Sequence, residues 1–133
     1  MQFLLDTSAC IVAMRNHPDV VKRMSAATPG DCAISTITSY ELHTGIAKCA
    51  APSKERAKVD LLLKTVIELP CDARAAREAG RIRSLRERYG QMIGSYDVLL
   101  AAQAVAAGLT LVTDNTAEFP GVAGLAVENW QDG

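Results

Sequence analysis

Apolar residues in this chain gather in short runs that are cut off by helix-start and turn signals. Gln2-Phe-Leu-Leu5 stops at Asp6, and Thr7 and Ser8 are helix N-cap types. This pattern predicts a buried strand and then a helix from about residue 8 to Arg15. Asn16–Asp19 reads as a loop, with Pro18 opening a second helix through about Ala26. A turn at Thr28-Pro29-Gly30-Asp31 leads into a short strand, Cys32–Ser35. Thr38 and Glu41 then have the spacing of a Thr-x-x-Glu capping box, and Gly45 falls on the Glu41 face, where close backbone packing would account for a glycine. Ala51-Pro52-Ser53 breaks that helix. Another helix, Ser53–Val66, turns Lys54, Arg56, Lys58 and Lys64 to solvent, and Ile67-Glu68-Leu69 is a short strand. The long helix Ala73–Tyr89 carries its apolar face on Ala75, Ala79, Ile82 and Leu85.

The pattern changes at Ile93–Val105. This stretch is apolar almost all round, with one carboxylate, Asp97, near its start. Ser95 reads as its N-cap and Gly108 as the residue just past its end. A helix without a polar face is buried, against a sheet, a partner subunit or both, and this apolar excess predicts a homodimer. Leu109–Thr113 and Leu125–Glu128 are the last two strands. Strands alternating with helices over 133 residues imply one α/β domain, residues 1–133, with a mostly parallel central sheet of four to five strands and right-handed crossovers.

Composition narrows the function classes. No run of 18 apolar residues is present, and the amino terminus lacks a basic region and reaches Asp6 early, so the reading is a cytoplasmic protein with no membrane contact. Cys10, Cys32, Cys49 and Cys71 lie far apart, which argues for reduced thiols rather than a zinc site or disulfides. The net charge of −1 hides an asymmetry. All 14 lysines and arginines lie within residues 1–88, whereas residues 89–133 carry only acids. Arg74, Arg77, Arg81 and Arg88 share a flank of the long helix and suit phosphate contacts; a plain solvated surface is the alternative.

Asp6, Glu41, Asp97 and Asp114 each fall at the carboxyl end of a strand or the start of a helix. Each has a local explanation as a cap or a turn residue. Together they occupy matching places along one edge of a parallel sheet, where ligands of such folds bind. Clustered carboxylates need a cation, and hard oxygen donors without histidine or cysteine suit Mg²⁺ or Mn²⁺. Such a centre suits hydrolysis of a phosphodiester.

Leu5-Asp6-Thr7-Ser8, Tyr40-Glu41-Leu42-x-x-Gly45, Ile93-x-x-x-Asp97-x-x-x-Ala101-Ala102 and Leu111-Val112-Thr113-Asp114-Asn115 resemble, in order and spacing, the motifs of the PIN-domain ribonucleases. The ending Gly124-Leu-x-Val-Glu128-Asn-Trp130 is similar to that of the VapC toxins of bacterial toxin–antitoxin pairs. The resemblance implies a PIN-like three-layer fold and Mg²⁺-dependent cleavage of structured RNA, with tRNA the expected target class and initiator tRNA one candidate within it. It also implies a homodimer and a VapB-type antitoxin whose C-terminal segment blocks the acidic site. Asp6 and Asp97 would be the main metal ligands, with Glu41 and Asp114 in the same catalytic cluster, Thr7 beside it, and Arg77 and Arg81 on the RNA. Many relatives place the last acid where this chain has Asn115. The fourth ligand is therefore Asp114, Asn115 through its carbonyl oxygen, or Glu118.

Two other classes compete. A phosphoacceptor module of the receiver type usually pairs two acids after its first strand and places a lysine after its last. This chain has only Asp6 there and no lysine beyond Lys64. A catalytically inactive PIN-like binding module is the second rival, against which the intact Asp6, Glu41 and Asp97 argue.

Overall fold

The computed structural model describes residues 1–28 and 30–132. Strands β1 (Phe3–Leu5), β2 (Cys32–Ser35), β3 (Ile67–Leu69), β4 (Thr110–Val112) and β5 (Ala126–Glu128) form one sheet in the order β3-β2-β1-β4-β5. Every pairing is parallel, with Leu4 opposite Ala33 on one side and Leu111 on the other. The helices are α1 (Thr7–Met14), α2 (Pro18–Ala26), α3 (Thr36–Lys48), α4 (Pro52–Thr65), α5 (Ala73–Arg88) and α6 (Ser95–Ala107). Of the predicted turn at residues 28–31, Pro29 lies outside the described residues.

Alternation along the strands divides the core. Leu5, Ile34 and Val112 point to one face, where they pack with Cys10 of α1, Val20 of α2, Leu42 and Ile46 of α3, Val59 and Leu62 of α4, and Trp130. Leu4, Ala33 and Leu111, one residue earlier on each strand, point to the other and meet Leu100, Ala101 and Ala104 of α6. Helix α5 lies outside α6, placing Ala79 and Ile82 against Val98 and Ala102. Helix α6 is thus sandwiched between the sheet and α5, and this accounts for its all-round apolar character within one chain. The apolar excess that pointed to a homodimer is covered internally.

The one polar residue of the α6 interior, Gln103, is 4% exposed and donates through Nε2 to the carbonyls of Leu69 and Pro70 at 3.1 and 3.2 Å. It tethers the helix to the end of the edge strand β3. Gly108, at φ 68°, closes α6 in the left-handed conformation, with Leu109 N–H donating to Ala104 and Gly108 N–H to Val105. The four cysteines are free thiols, two of them buried.

Five local expectations are corrected. Helix α6 is capped by Gly94, and Ser95 is its first residue. Helix α1 is capped by Asp6 itself rather than by Thr7 or Ser8. Helix α3 runs directly out of β2 with Ser35 as its N-cap, the Ser35 hydroxyl accepting from Ile37 N–H at 3.0 Å, so Thr38 and Glu41 form no capping box. Leu85 is 38% exposed, and its place on the buried face of α5 is taken by Arg86, 8% exposed, whose guanidinium donates to the carbonyl of Pro120 at 2.7 Å. The aliphatic stem of an arginine can fill such a position when its head finds an acceptor. Close packing at Gly45 is absent too, since no neighbouring atom lies within 4 Å of where a Cβ would stand.

Candidate active site

The carboxyl ends of β1 and β4 and the first turn of α6 open onto a cleft of about 460 Å³ lined by Asp6, Glu41, Asp97, Asp114 and Glu118 among other groups. Five carboxylates thus come together from four separate stretches of chain. All four acids expected to form a cluster line it, as do Thr7, Asn115 and Glu118.

Asp6 is the most enclosed, at 6% exposure. It ends β1 and starts α1, where its Oδ1 accepts from Ala9 N–H at 2.8 Å and from the Ser8 hydroxyl at 2.7 Å. The helix dipole favours an anion here. Burial nevertheless pushes its carboxyl above the ordinary carboxylate range, against the hydrogen bonds from Thr113, Ala9 and Ser8. The Ser8 hydroxyl also lies 2.9 Å from Oδ1 of the exposed Asp114 and so bridges the two acids. The sequence reading has Ser8 only as a helix-cap type and the last member of the Leu5-Asp6-Thr7-Ser8 motif, and gives it no place in the site.

Glu41 reaches the cleft from the second turn of α3, not from its start, and accepts from the Thr7 hydroxyl at 2.6 Å. Thr7 is therefore the link between the first strand's end and α3. Glu118 accepts from Gly94 N–H at 3.2 Å and from the Asn115 side-chain amide at 3.1 Å. Its carboxylate closes the open end of α6 beside Asp97. Since Asn115 spends its amide on Glu118, its carbonyl oxygen is the group left for other contacts.

Asp97 carries the strain of the cluster. Burial, the adjoining Glu118 and the charges of Asp6 and Glu41 together push its carboxyl up to about 7. No lysine, arginine or histidine is among the residues lining the cleft. The donor set is all oxygen and open on one side. Among the described residues no three carboxylate, imidazole or thiol groups close on a single point. Mg²⁺ keeps several of its waters and is commonly held by only one or two carboxylates, so an open, uncompensated acidic cleft fits it. Asp6 and Asp97 would hold it.

This arrangement has a pH signature. The metal-free fold keeps Asp97 protonated up to about pH 7, whereas the unfolded chain releases that proton near 3.8, so the metal-free protein loses stability as pH rises between those values. A divalent ion holding the ionised carboxylates removes the penalty. The rise in melting temperature caused by millimolar Mn²⁺ should therefore be larger at pH 8 than at pH 5.5. Equal shifts at the two pH values would speak against an ion at Asp97.

At the rim, Tyr96 and Tyr40 meet edge to face, with ring centroids 5.7 Å apart, planes at 77° and hydroxyls 3.1 Å apart. The sequence reading gave neither ring a role. On α5, Arg81 is engaged with Glu78 and Arg83 with Glu87, and Arg74 donates to the carbonyl of Ala106. Arg77 is exposed and makes no ion pair or hydrogen bond among the described residues. Arg83 and Arg86 line a neighbouring cavity of about 290 Å³ that shares Ser95 with the acidic cleft.

The PIN domain model matches residues 3–125, a span that includes every acid of the cleft. The chain is 35% identical over 130 residues to the tRNA(fMet)-specific endonuclease VapC of Shigella flexneri, covering 98% of each. It is 33% identical to ribonuclease VapC2 of Rickettsia felis, again over 98% of both. Among solved structures, DNA-bound VapBC from Salmonella typhimurium superposes with a TM-score of 0.92 at 35% identity, covering 98% of each chain. VapBC2 from Rickettsia felis, bound to a DNA fragment from their promoter, superposes with a TM-score of 0.87 at 31% identity, covering 98% of this chain and 99% of the other.

Proposed function

Because the chain belongs to the PIN-domain family, we propose that it is a VapC-type endoribonuclease toxin that hydrolyses a phosphodiester of structured RNA with the help of Mg²⁺, which Mn²⁺ can replace. Initiator tRNA is the expected substrate, in keeping with the name of the Shigella relative. A VapB-type antitoxin is the expected partner, in keeping with the VapBC assemblies of the solved relatives. Residues 1–133 act as one PIN-like unit in the cytoplasm. No helix among the described residues is long and apolar enough to cross a membrane. A homodimer remains the expected assembly, now on the resemblance to VapC toxins alone.

The observation that supports this reading best is the convergence of Asp6, Glu41, Asp97, Asp114 and Glu118 on one cleft without a cation. A bound Mg²⁺ supplies positive charge to the phosphoryl oxygens and acidifies a coordinated water. The chain's own groups prepare for this. Ala9 N–H and Ser8 fix the Asp6 carboxylate, and Thr7 fixes Glu41 with one hydrogen bond, leaving its other oxygen to orient a water. Before an ion binds, Asp97, raised to about 7 by burial and its acidic neighbours, can take up a proton near neutrality, whereas Asp6 is raised by its burial. Asp114, joined to Asp6 through Ser8, would complete the cluster, with Asn115 and Glu118 as the other groups at that end.

Purified protein incubated with total tRNA and either Mg²⁺, Mn²⁺ or EDTA tests the proposal. One discrete cut, dependent on the metal and suppressed by the co-expressed antitoxin, is the expected result. Intact tRNA in every tube would favour an inactive binding module. The RNA backbone would be held by α5. Arg77 has no internal partner among the described residues, so Arg77→Ala should weaken RNA binding and lower its salt dependence by about one counterion. Arg81→Ala should do less, because Arg81 is shared with Glu78. Filter binding over a salt series compares the two, and equal slopes in both variants and wild type would remove α5 from the RNA interface.

A further inference from the structure

The acidic cleft poses a binding problem. An RNA strand must bring its phosphates into a site lined by five carboxylates and by no cationic side chain. One or two divalent ions offset only part of that charge, so affinity at the scissile position needs a contact that does not depend on charge. Stacking of a base on an aromatic ring is such a contact.

The chain has six aromatic residues, and they are sorted by position. Phe119 and Trp130 are buried at 3% and 2% exposure and Phe3 packs against Trp130, whereas Tyr40, Tyr89 and Tyr96 are 53%, 69% and 42% exposed. Two of the three tyrosines stand together at the cleft mouth. Tyr96 lines the cleft and precedes Asp97, and Tyr40 precedes Glu41. Adjacent helix positions diverge by about 100°, so each acid can turn inward while the ring before it stays at the rim. The edge-to-face contact and the hydroxyl–hydroxyl bond hold both rings in place without burying them. A ring already fixed loses little freedom when a base lands on it, and this lowers the cost of binding.

We propose that Tyr40 and Tyr96 form a stacking platform for one unpaired nucleobase beside the scissile phosphate. The platform rests on the endoribonuclease reading and deepens it. It makes the enzyme selective for loops and other single-stranded positions, because a base inside a duplex is already stacked on its neighbours and cannot reach the rings. The two tyrosines are positioning residues and touch no reacting atom.

The test uses a stem–loop RNA carrying 2-aminopurine in its loop, and a fully paired duplex of the same length. Tyr96→Ala and Tyr40→Ala should each raise KM for the stem–loop about tenfold, the loss of one stacked base, with a smaller change in kcat. Tyr96→Phe and Tyr96→Trp keep a ring and should restore KM. Binding should quench 2-aminopurine in wild type and in Asp6→Asn, and less so in Tyr96→Ala. Melting temperatures and the Mn²⁺-induced shift should be unchanged in the alanine variants, because both rings are exposed. The platform is overturned if wild type cuts the stem–loop and both alanine variants match its KM and quenching. Equal cutting of the duplex also overturns it, as does an alanine variant whose only defect is weaker capture of a VapB-type antitoxin. If wild type cuts no RNA, the nuclease reading fails, and the quenching alone then decides whether the rings hold a base.

Discussion

Asp6→Asn and Asp97→Asn are each expected to slow RNA cleavage about a thousandfold or more while leaving the fold intact. A divalent ion contributes several kcal/mol of charge stabilisation to a phosphodiester transition state, and each 1.36 kcal/mol is a factor of ten in rate. Asparagine has the shape of aspartate but cannot hold the ion with the same charge. The substitution at position 6 also preserves the local structure. Asparagine caps a helix as well as aspartate does, and its side-chain carbonyl oxygen could still accept from Ala9 N–H. At position 97 the change removes a buried carboxylate that its neighbours repel, so the metal-free variant should melt higher than wild type at neutral pH. RNA binding should persist or tighten in both variants, because one negative charge is gone from a cleft that receives phosphate. Cleavage gels with and without Mg²⁺, alongside binding assays on the same preparations, check the separation. Wild-type rates in both variants would place the chemistry elsewhere.

Trp130→Ala is expected to destabilise the protein by about 3–5 kcal/mol, the usual cost of removing a large core aromatic. Trp130 is 2% exposed and closes one face of the sheet. Its ring meets Phe3 of β1 edge to face at 5.0 Å, lies 5.2 Å beneath the Arg23 guanidinium, and donates its N–H to Glu128 at 3.2 Å. Arg23 in turn pairs with Glu128 at 2.6 Å. The indole therefore ties α2, the central strand and the edge strand β5 together. Trp130→Phe keeps most of the contact and should cost far less. Urea unfolding followed by circular dichroism measures both, since Trp130 is the only tryptophan and its fluorescence disappears with it. A loss below about 1 kcal/mol for Trp130→Ala would mean that the core refills the space.

The elements were legible in the sequence because their signals are local. Runs such as Cys32–Ser35 and Ile67–Leu69, Pro18 opening α2 and the break at Ala51-Pro52-Ser53 placed strands and helices within a residue or two. The acids were legible because a parallel sheet brings the carboxyl ends of its strands to one edge. The caps were less so. Ser35 caps α3 because β2 passes into the helix without a loop, and a window of sequence around Thr38 and Glu41 holds an equally good cap pattern. Arg86 in the core and the burial of α6 by α5 depend on which face of α5 docks, a question that a helix with both alanine and arginine stripes leaves open. The links that make the site rigid, Thr7 to Glu41 and Ser8 to Asp114, span 34 and 106 residues and carry no local signal.

The placement of β1 has a consequence for biosynthesis. The first strand made is the middle strand of the sheet, and its β4 side stays empty until Thr110–Val112 has been synthesised. A nascent chain can pair β1 with β2 early, but Asp6 has no Asp114 beside it until β4 inserts. The order of folding thus withholds the assembled acid cleft until nearly the whole described chain exists. The cleft is complete only once β4 has paired with β1, and an antitoxin already present at that moment would meet a nuclease that has only just become one.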